Sequence, residues 1–350
     1  MSTSPDRLRD GNSIVESEDE SFPAIFIAGI PRGGTTWLSK WLNNQADVVV
    51  FGETAFWGRH FEPPENDGTY SPEQVGRIIR KLKFSSFHGL NADEGILLDR
   101  RRFRLEAELR RRVSETKGTV TPGHLFRCVI SAVASVEGKR TVIEKTPHHI
   151  NHIGRILRHL PNSKFILVLR EPYAFMLSYK HQGDRKSQEI RRQFDRLYHP
   201  ALAALVWKRC CVSLQKAMER HSNRCIEVRT EELADDVDCV AQRILEFTGR
   251  NTGDSIAQFP PVNSSFPVGQ RPTLTRADIF WMNLIAGPQI TAANYELEQR
   301  HGGFLDILVS VLKLPVWAIR NLVRIRDRTS GSTLRYVTGY VPLSTERIAA

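Results

Sequence analysis

The chain predicts an α/β fold, a mostly parallel sheet flanked by helices, and three observations carry that expectation. Short apolar runs at residues 24–29, 48–51, 140–144 and 164–169 have the length and composition of buried strands. Segments of helical spacing follow most of them, the order expected of βαβ units. The first run, AIFIAG, ends in a glycine-rich turn that leads into the helical pattern TWLSKWLNN, residues 36–44.

The remaining elements follow in order. Residues 60–120 break the alternation with prolines, glycine turns and the basic stretch DRRRFRLEAELRRR at 99–112. Its arginines alternate with apolar residues at near-helical spacing, which predicts a mostly helical insertion with a solvated basic face. Alternation resumes with RTVIE and then a helix from about 151 to 160. KFILVL, at 164–169, is the clearest buried strand, and a helix to about 181 follows it. Helical spacing returns at 201–220. A short strand at 225–228 precedes a helix that carries Ile244, Leu245 and Phe247.

At 350 residues the chain can bury a large core, and 41% hydrophobic with 25% charged is ordinary for a globular protein. The formal net charge of +10 suits a polyanionic ligand or surface without choosing one. Cys128, Cys210, Cys211, Cys225 and Cys239 form no zinc-type spacing, and their odd number favours a reducing, cytoplasmic setting. The polar residues 1–21 predict a disordered tail and no secretory signal. Residues 304–325 are strongly apolar but interrupted by Asp306, Lys313, Arg320 and Arg324, with Pro315 breaking the run. A spanning helix is not expected there. An amphipathic helix packed on the domain and a helix at a membrane surface both fit.

Gly29 and Gly34 have the spacing of a phosphate-binding P-loop, in which backbone N–H groups and a helix N-terminus hold a phosphate. The lysine that a nucleoside triphosphatase uses is replaced by Thr35, followed by Thr36, and the loop's cation comes earlier, at Arg32. Such a loop suits one phosphate with a neighbouring anionic group better than a magnesium triphosphate. Residues 31–38, PRGGTTWL, resemble the 5′-phosphosulfate loop of sulfotransferases that use PAPS (3′-phosphoadenosine 5′-phosphosulfate). A second motif agrees. Arg170 ends the strand KFILVL and Ser178 stands eight residues on, as in the family's 3′-phosphate site. The chain is thus identified as resembling the bacterial and tyrosylprotein-like branch of that family over about residues 22–293, apart from 60–120.

The resemblance implies a donor site in which Arg32, Gly33, Gly34, Thr35 and Thr36 hold the 5′ end. Trp37 would lie against the adenine, and Arg170 and Ser178 would hold the 3′-phosphate. It further implies domain limits of 22–303, with 60–120 on the acceptor side and 304–350 as an amphipathic extension. Residues 228–233, VRTEEL, are similar to the family's Y-E-D-L, with Thr230 in place of the tyrosine. Residues 263–271, including Arg271, resemble a late loop over the donor. Lys145, in EKTP, resembles the lysine that assists the leaving group. Glu53 matches the position of the catalytic base, and His148 and His149 compete with it. His124 reads as a turn residue. The expected partners are a nucleotide donor and a hydroxyl- or amine-bearing acceptor, carbohydrate or lipid among the candidates, with no nucleic acid and no metal. Two other readings stand beside this one: a P-loop kinase, and a non-catalytic anion- or membrane-binding protein.

Overall fold

The computed structural model describes residues 23–65, 67–82, 86–87, 95–249, 272–299 and 303–328. The expected disordered tail, the late loop at 263–271 and Arg271 lie outside the described residues. In chain order the elements are β1 (Ile25–Gly29), α1 (Thr35–Asn43), β2 (Val48–Gly52), α2 (Pro72–Lys81), β3 (Ser86–Phe87) and α3 (Gly95–Ser114). Next come α4 (Pro122–Glu137), β4 (Thr141–Lys145), a 3-10 turn (Pro147–His152), α5 (Ile153–His159), β5 (Lys164–Leu169) and α6 (Pro172–Lys180). The chain continues through α7 (Gln188–Leu197), α8 (Pro200–Arg220), β6 (Cys225–Arg229), α9 (Glu232–Asp235), α10 (Val237–Phe247), α11 (Arg276–Ala292) and α12 (Phe304–Arg328).

The sheet order is β3-β2-β4-β1-β5-β6. Five strands run parallel, and the two-residue β3 pairs antiparallel with β2 at the edge. Both faces are covered, so β1 and β2 are apolar throughout, while β4 ends in the buried Glu144 and Lys145. In β1, Ile25 and Ile27 face a layer that holds Trp37, Leu38, Trp41 and Leu42 of α1 with Val240 and Ile244 of α10. Phe26 and Ala28 face the larger layer, built from α4, α5, α6, α8 and α11.

From β1 the chain turns towards β2 on one side, and from β5 towards β6 on the other. The carboxyl ends of β1 and β5 therefore flank a topological switch point, where open α/β sheets open a crevice for ligands. Two expectations change in detail. Pro315 does not break the C-terminal segment, because α12 runs through it from Phe304 to Arg328. Lys145 is the last residue of β4 rather than just beyond it.

Candidate functional site

Across the carboxyl edge of the sheet, five neighbouring strand ends present Glu53 (after β2), Lys145 (β4), the loop 30–34 (after β1), Arg170 (after β5) and Thr230 (after β6). At a strand spacing of about 4.8 Å, the row from Glu53 to Arg170 spans about 14 Å. The residues singled out in the sequence thus fall along one edge.

The loop folds tightly. Ile30 N–H donates to the Val168 carbonyl at 3.0 Å, and Gly33 N–H to the Ile30 carbonyl at 3.0 Å. Arg32 (φ 62°) and Gly34 (φ 91°) are left-handed, a conformation that is costly for arginine and free for glycine. This backbone turns the loop into the N-terminus of α1, with Gly34 as the N-cap and no side chain capping it. A helix N-terminus reached through such a loop is the kind of place where an anion is held. Thr36 is exposed, while Thr35 is buried. Trp37 is 9% exposed and packs in the core layer beneath the sheet.

Arg170 reaches over this loop. Its Nη1 donates to the Arg32 carbonyl at 3.0 Å, which joins the two sequence motifs in one place. Partial burial lowers the Arg170 pKa, and the Arg32 charge lowers it further, against Glu231 and Glu171. Desolvation also lowers Arg32, although the residue remains exposed. Two guanidinium groups held this close suit a bound anion. Trp207 on α8 fixes the strand end by donating from Nε1 to the Arg170 carbonyl at 2.9 Å. Ser178 is buried on α6, whose N-cap Glu171 accepts from the amides of Tyr173 and Ala174.

At the other end of the row, Lys145 Nζ lies 2.5 Å from Glu53 Oε1. The lysine side chain is 1% exposed and the glutamate 48%. Gly52 makes this approach possible, since a Cβ there would lie 2.1 Å from the Lys145 carbonyl oxygen. Beneath the pair, the buried Glu144 carboxylate accepts from Thr54 Oγ1 at 2.8 Å, Thr54 N–H at 3.3 Å and Thr146 Oγ1 at 2.6 Å. His149 Nδ1 lies 2.9 Å from its other oxygen. Burial acts to raise the Glu144 pKa, but His149 and the hydroxyl donors outweigh it and leave the group below the usual range.

His149 is fully buried, and its Nε2 accepts from Trp57 N–H at 3.3 Å. Both its nitrogens face protein, so it belongs to the scaffold and is removed from the competition for a proton acceptor. His148 is near enough to Glu53 for the carboxylate's charge to act on it, yet burial still lowers its pKa to about 4. It is neutral at pH 7. His124 is in the first turn of α4, capped by Thr121, with its ring 2.9 Å from Thr116 Oγ1. Thr54, Thr146, Trp207 and Glu231 were not singled out in the sequence.

The fold and edge describe an α/β protein whose strand ends gather cations around a phosphate-type loop. A family model described as "Sulfotransferase family" matches residues 23–254, and the chain belongs to that family. Its chemistry is therefore sulfuryl transfer from a donor to an acceptor. No curated protein matches the sequence. Among solved structures, the sulfotransferase domain of the Synechococcus PCC 7002 olefin synthase is 20% identical. That match has a TM-score of 0.46 and covers 79% of this chain and 96% of that one. A sulfotransferase from Alicyclobacillus acidocaldarius is 15% identical, with a TM-score of 0.44 and coverage of 79% and 98%. A mouse sulfotransferase complexed with PAP is 14% identical, with a TM-score of 0.35 and coverage of 67% and 63%.

Proposed function

We propose that the protein transfers a sulfuryl group from PAPS to a hydroxyl or amine of its acceptor, by in-line displacement at the β1–β4 side of the edge. The observation that carries this reading is the contact of Arg170 with the Arg32 carbonyl. It sets a cation from the second motif against the loop of the first, as a donor with phosphates at both 3′ and 5′ positions requires. In this reading Gly33, Gly34, Thr35 and Thr36 hold the 5′-phosphate with backbone and hydroxyl donors, and Arg170 and Ser178 hold the 3′-phosphate. Trp37, largely in the core, has only its remaining exposed edge for the adenine. The mouse relative's complex with PAP, the desulfonated donor, supports the choice of nucleotide by analogy alone.

Little covalent work falls to the protein in such a transfer, and positioned charge supplies most of the acceleration. Negative charge grows on the departing phosphate oxygen. Arg32 and Lys145 stand at the strand ends beside it and stabilise that charge as it develops. Glu53 is the group that takes the acceptor's proton. It is more exposed than Lys145, and the lysine orients its carboxylate. His148, neutral at pH 7 with its pKa lowered to about 4 by burial, is the rival proton acceptor.

The proposed domain spans 22–303. Its insertion at 60–120 carries α2 and α3 and flanks the acceptor side, and 304–350 is an extension outside it. The acceptor class we favour is a carbohydrate or lipid hydroxyl. Calorimetric titration with adenosine 3′,5′-bisphosphate tests the donor assignment. Tight binding that is lost in Arg170→Ala supports it. Absence of binding to the unaltered protein, with binding of magnesium ATP, returns the kinase reading to first place.

A further inference from the structure

One face of α12 is committed to the domain. Ser310 and Asn321 are buried, and Ile307, Leu314 and Trp317 are half-buried, a stripe at intervals of three and four residues. Ser310 Oγ accepts from Trp281 Nε1 of α11 at 2.9 Å, and the Trp317 ring lies 5.2 Å from that of His199. The opposite face is apolar and uncovered. Phe304 is 72% exposed, Leu305 70%, Leu312 65%, Val316 59% and Ile319 63%, with Leu308 between them. An exposed apolar stripe of this length on a folded domain marks a surface with a partner.

The border of the stripe tells which partner. Lys313 and Arg320 are exposed, two turns apart, on one flank between the packed and apolar faces; the exposed Asp306 stands two turns before Lys313 on the same flank and leaves it a net positive charge. The chain as a whole carries +10. An apolar face with basic residues at its margin is the pattern of a helix lying in a membrane interface, stems and apolar side chains inward, cationic heads at anionic headgroups. A second copy is the competing occupant, since an antiparallel two-fold pairing of this stripe would set Asp306 of one helix near Arg320 of the other while bringing the two Lys313 side chains together. Among the described residues no helix is long and apolar enough to cross a membrane, so the contact is with the surface.

We propose that α12 docks the protein in the plane of an anionic lipid surface through Leu305, Leu308, Leu312, Val316 and Ile319, with Lys313 and Arg320 setting the preference for negative headgroups. This holds independently of the nucleotide assignment. The test is cosedimentation of the full chain with vesicles of phosphatidylcholine alone or mixed with phosphatidylglycerol, at low and high salt. The unaltered protein should pellet with the anionic vesicles and be released by salt. A doubly substituted Leu312→Asp, Val316→Asp protein should bind about tenfold more weakly or worse, and Lys313→Glu, Arg320→Glu should lose the anionic preference. Both variants change exposed side chains, and circular dichroism with the urea midpoint checks that each is folded. Vesicle binding unchanged in Leu312→Asp, Val316→Asp overturns the proposal. So does an unaltered protein that ignores vesicles and is a dimer by light scattering, becoming a monomer in that variant, which gives the stripe to a second copy.

Discussion

The Thr230 hydroxyl lies 2.5 Å from the Gly33 carbonyl and 3.0 Å from the Leu169 carbonyl, and so ties the phosphate loop to the strand end that carries Arg170. Its methyl group would stand 3.1 Å from a Cβ at position 34, so it also presses on the loop's left-handed glycine. In the sequence, threonine in place of the family-like tyrosine puts in doubt a role for this position in packing against the nucleotide. In the structure the short side chain has a use of its own, holding the loop at 30–34 in register with the end of β5.

Thr230→Val keeps the shape and removes the hydroxyl, leaving the Gly33 carbonyl without its donor. A hydrogen bond of this kind is worth about 1 kcal/mol net. Adenosine 3′,5′-bisphosphate binding should weaken by roughly fivefold in Thr230→Val and stay near the original in Thr230→Ser. Calorimetry on both variants decides it, and equal affinities across all three proteins would reduce Thr230 to a packing residue.

Glu53 and Lys145 are expected to separate in kinetics. If Glu53 takes the acceptor's proton, Glu53→Gln lowers kcat by about 10²–10⁴ with little change in nucleotide affinity. Lys145→Met removes a charge from the departing oxygen and should lower kcat as well, with a loss that shrinks for donors with better leaving groups. Steady-state rates for both variants, beside His148→Gln, assign the base. A collapse confined to His148→Gln would transfer the role to the histidine.

The strands were legible because each is a short apolar run bounded by turn residues, and both phosphate motifs were legible because each sits where a strand ends. The covered faces of the sheet explain why those runs are continuous rather than alternating. What escaped was held by contacts distant in sequence. Helix α4 carried its own signals, Thr121 and Pro122 at its start and Gly138 in the left-handed conformation at its end, but the turn-like TPGH obscured them. The Glu144 network joins residues 90 positions apart, and no local pattern announces it. Pro315 misled because a proline inside a helix is costly on average, and here the helix continues through it.

Acid should destabilise the fold before its carboxylates titrate. Burial lowers the pKa of His148 to about 4 and of His152 to about 3, against 6.5 when unfolded. Between those values the unfolded chain binds more protons than the folded one, so stability falls as pH drops below about 6.5 and levels off near 3–4. At about 1.4 kcal/mol per pKa unit, the full effect is roughly 3 kcal/mol for His148 and roughly 5 kcal/mol for His152. Urea unfolding from pH 7.5 to 4.5 should show the decline, and His148→Gln should flatten it. An unchanged slope in that variant would mean His148 is protonated in the folded state.

Glu144 is the buried charge on which the acceptor side of the edge rests. Its carboxylate takes both hydroxyls of Thr54 and Thr146, and the His149 ring stands against it. Glu144→Gln keeps the size but replaces one acceptor oxygen by an NH₂ group, which must face either the two hydroxyls or the His149 ring. Leaving a buried polar group without its partner costs about 1–3 kcal/mol. The urea midpoint should therefore fall by an amount of that order. Because Thr54 follows Glu53 directly, the surviving folded protein should also lose kcat while keeping its nucleotide affinity, whose residues lie on β1, β5 and β6. If affinity fell in step with kcat, Glu144 would be supporting the whole edge instead of the Glu53 loop.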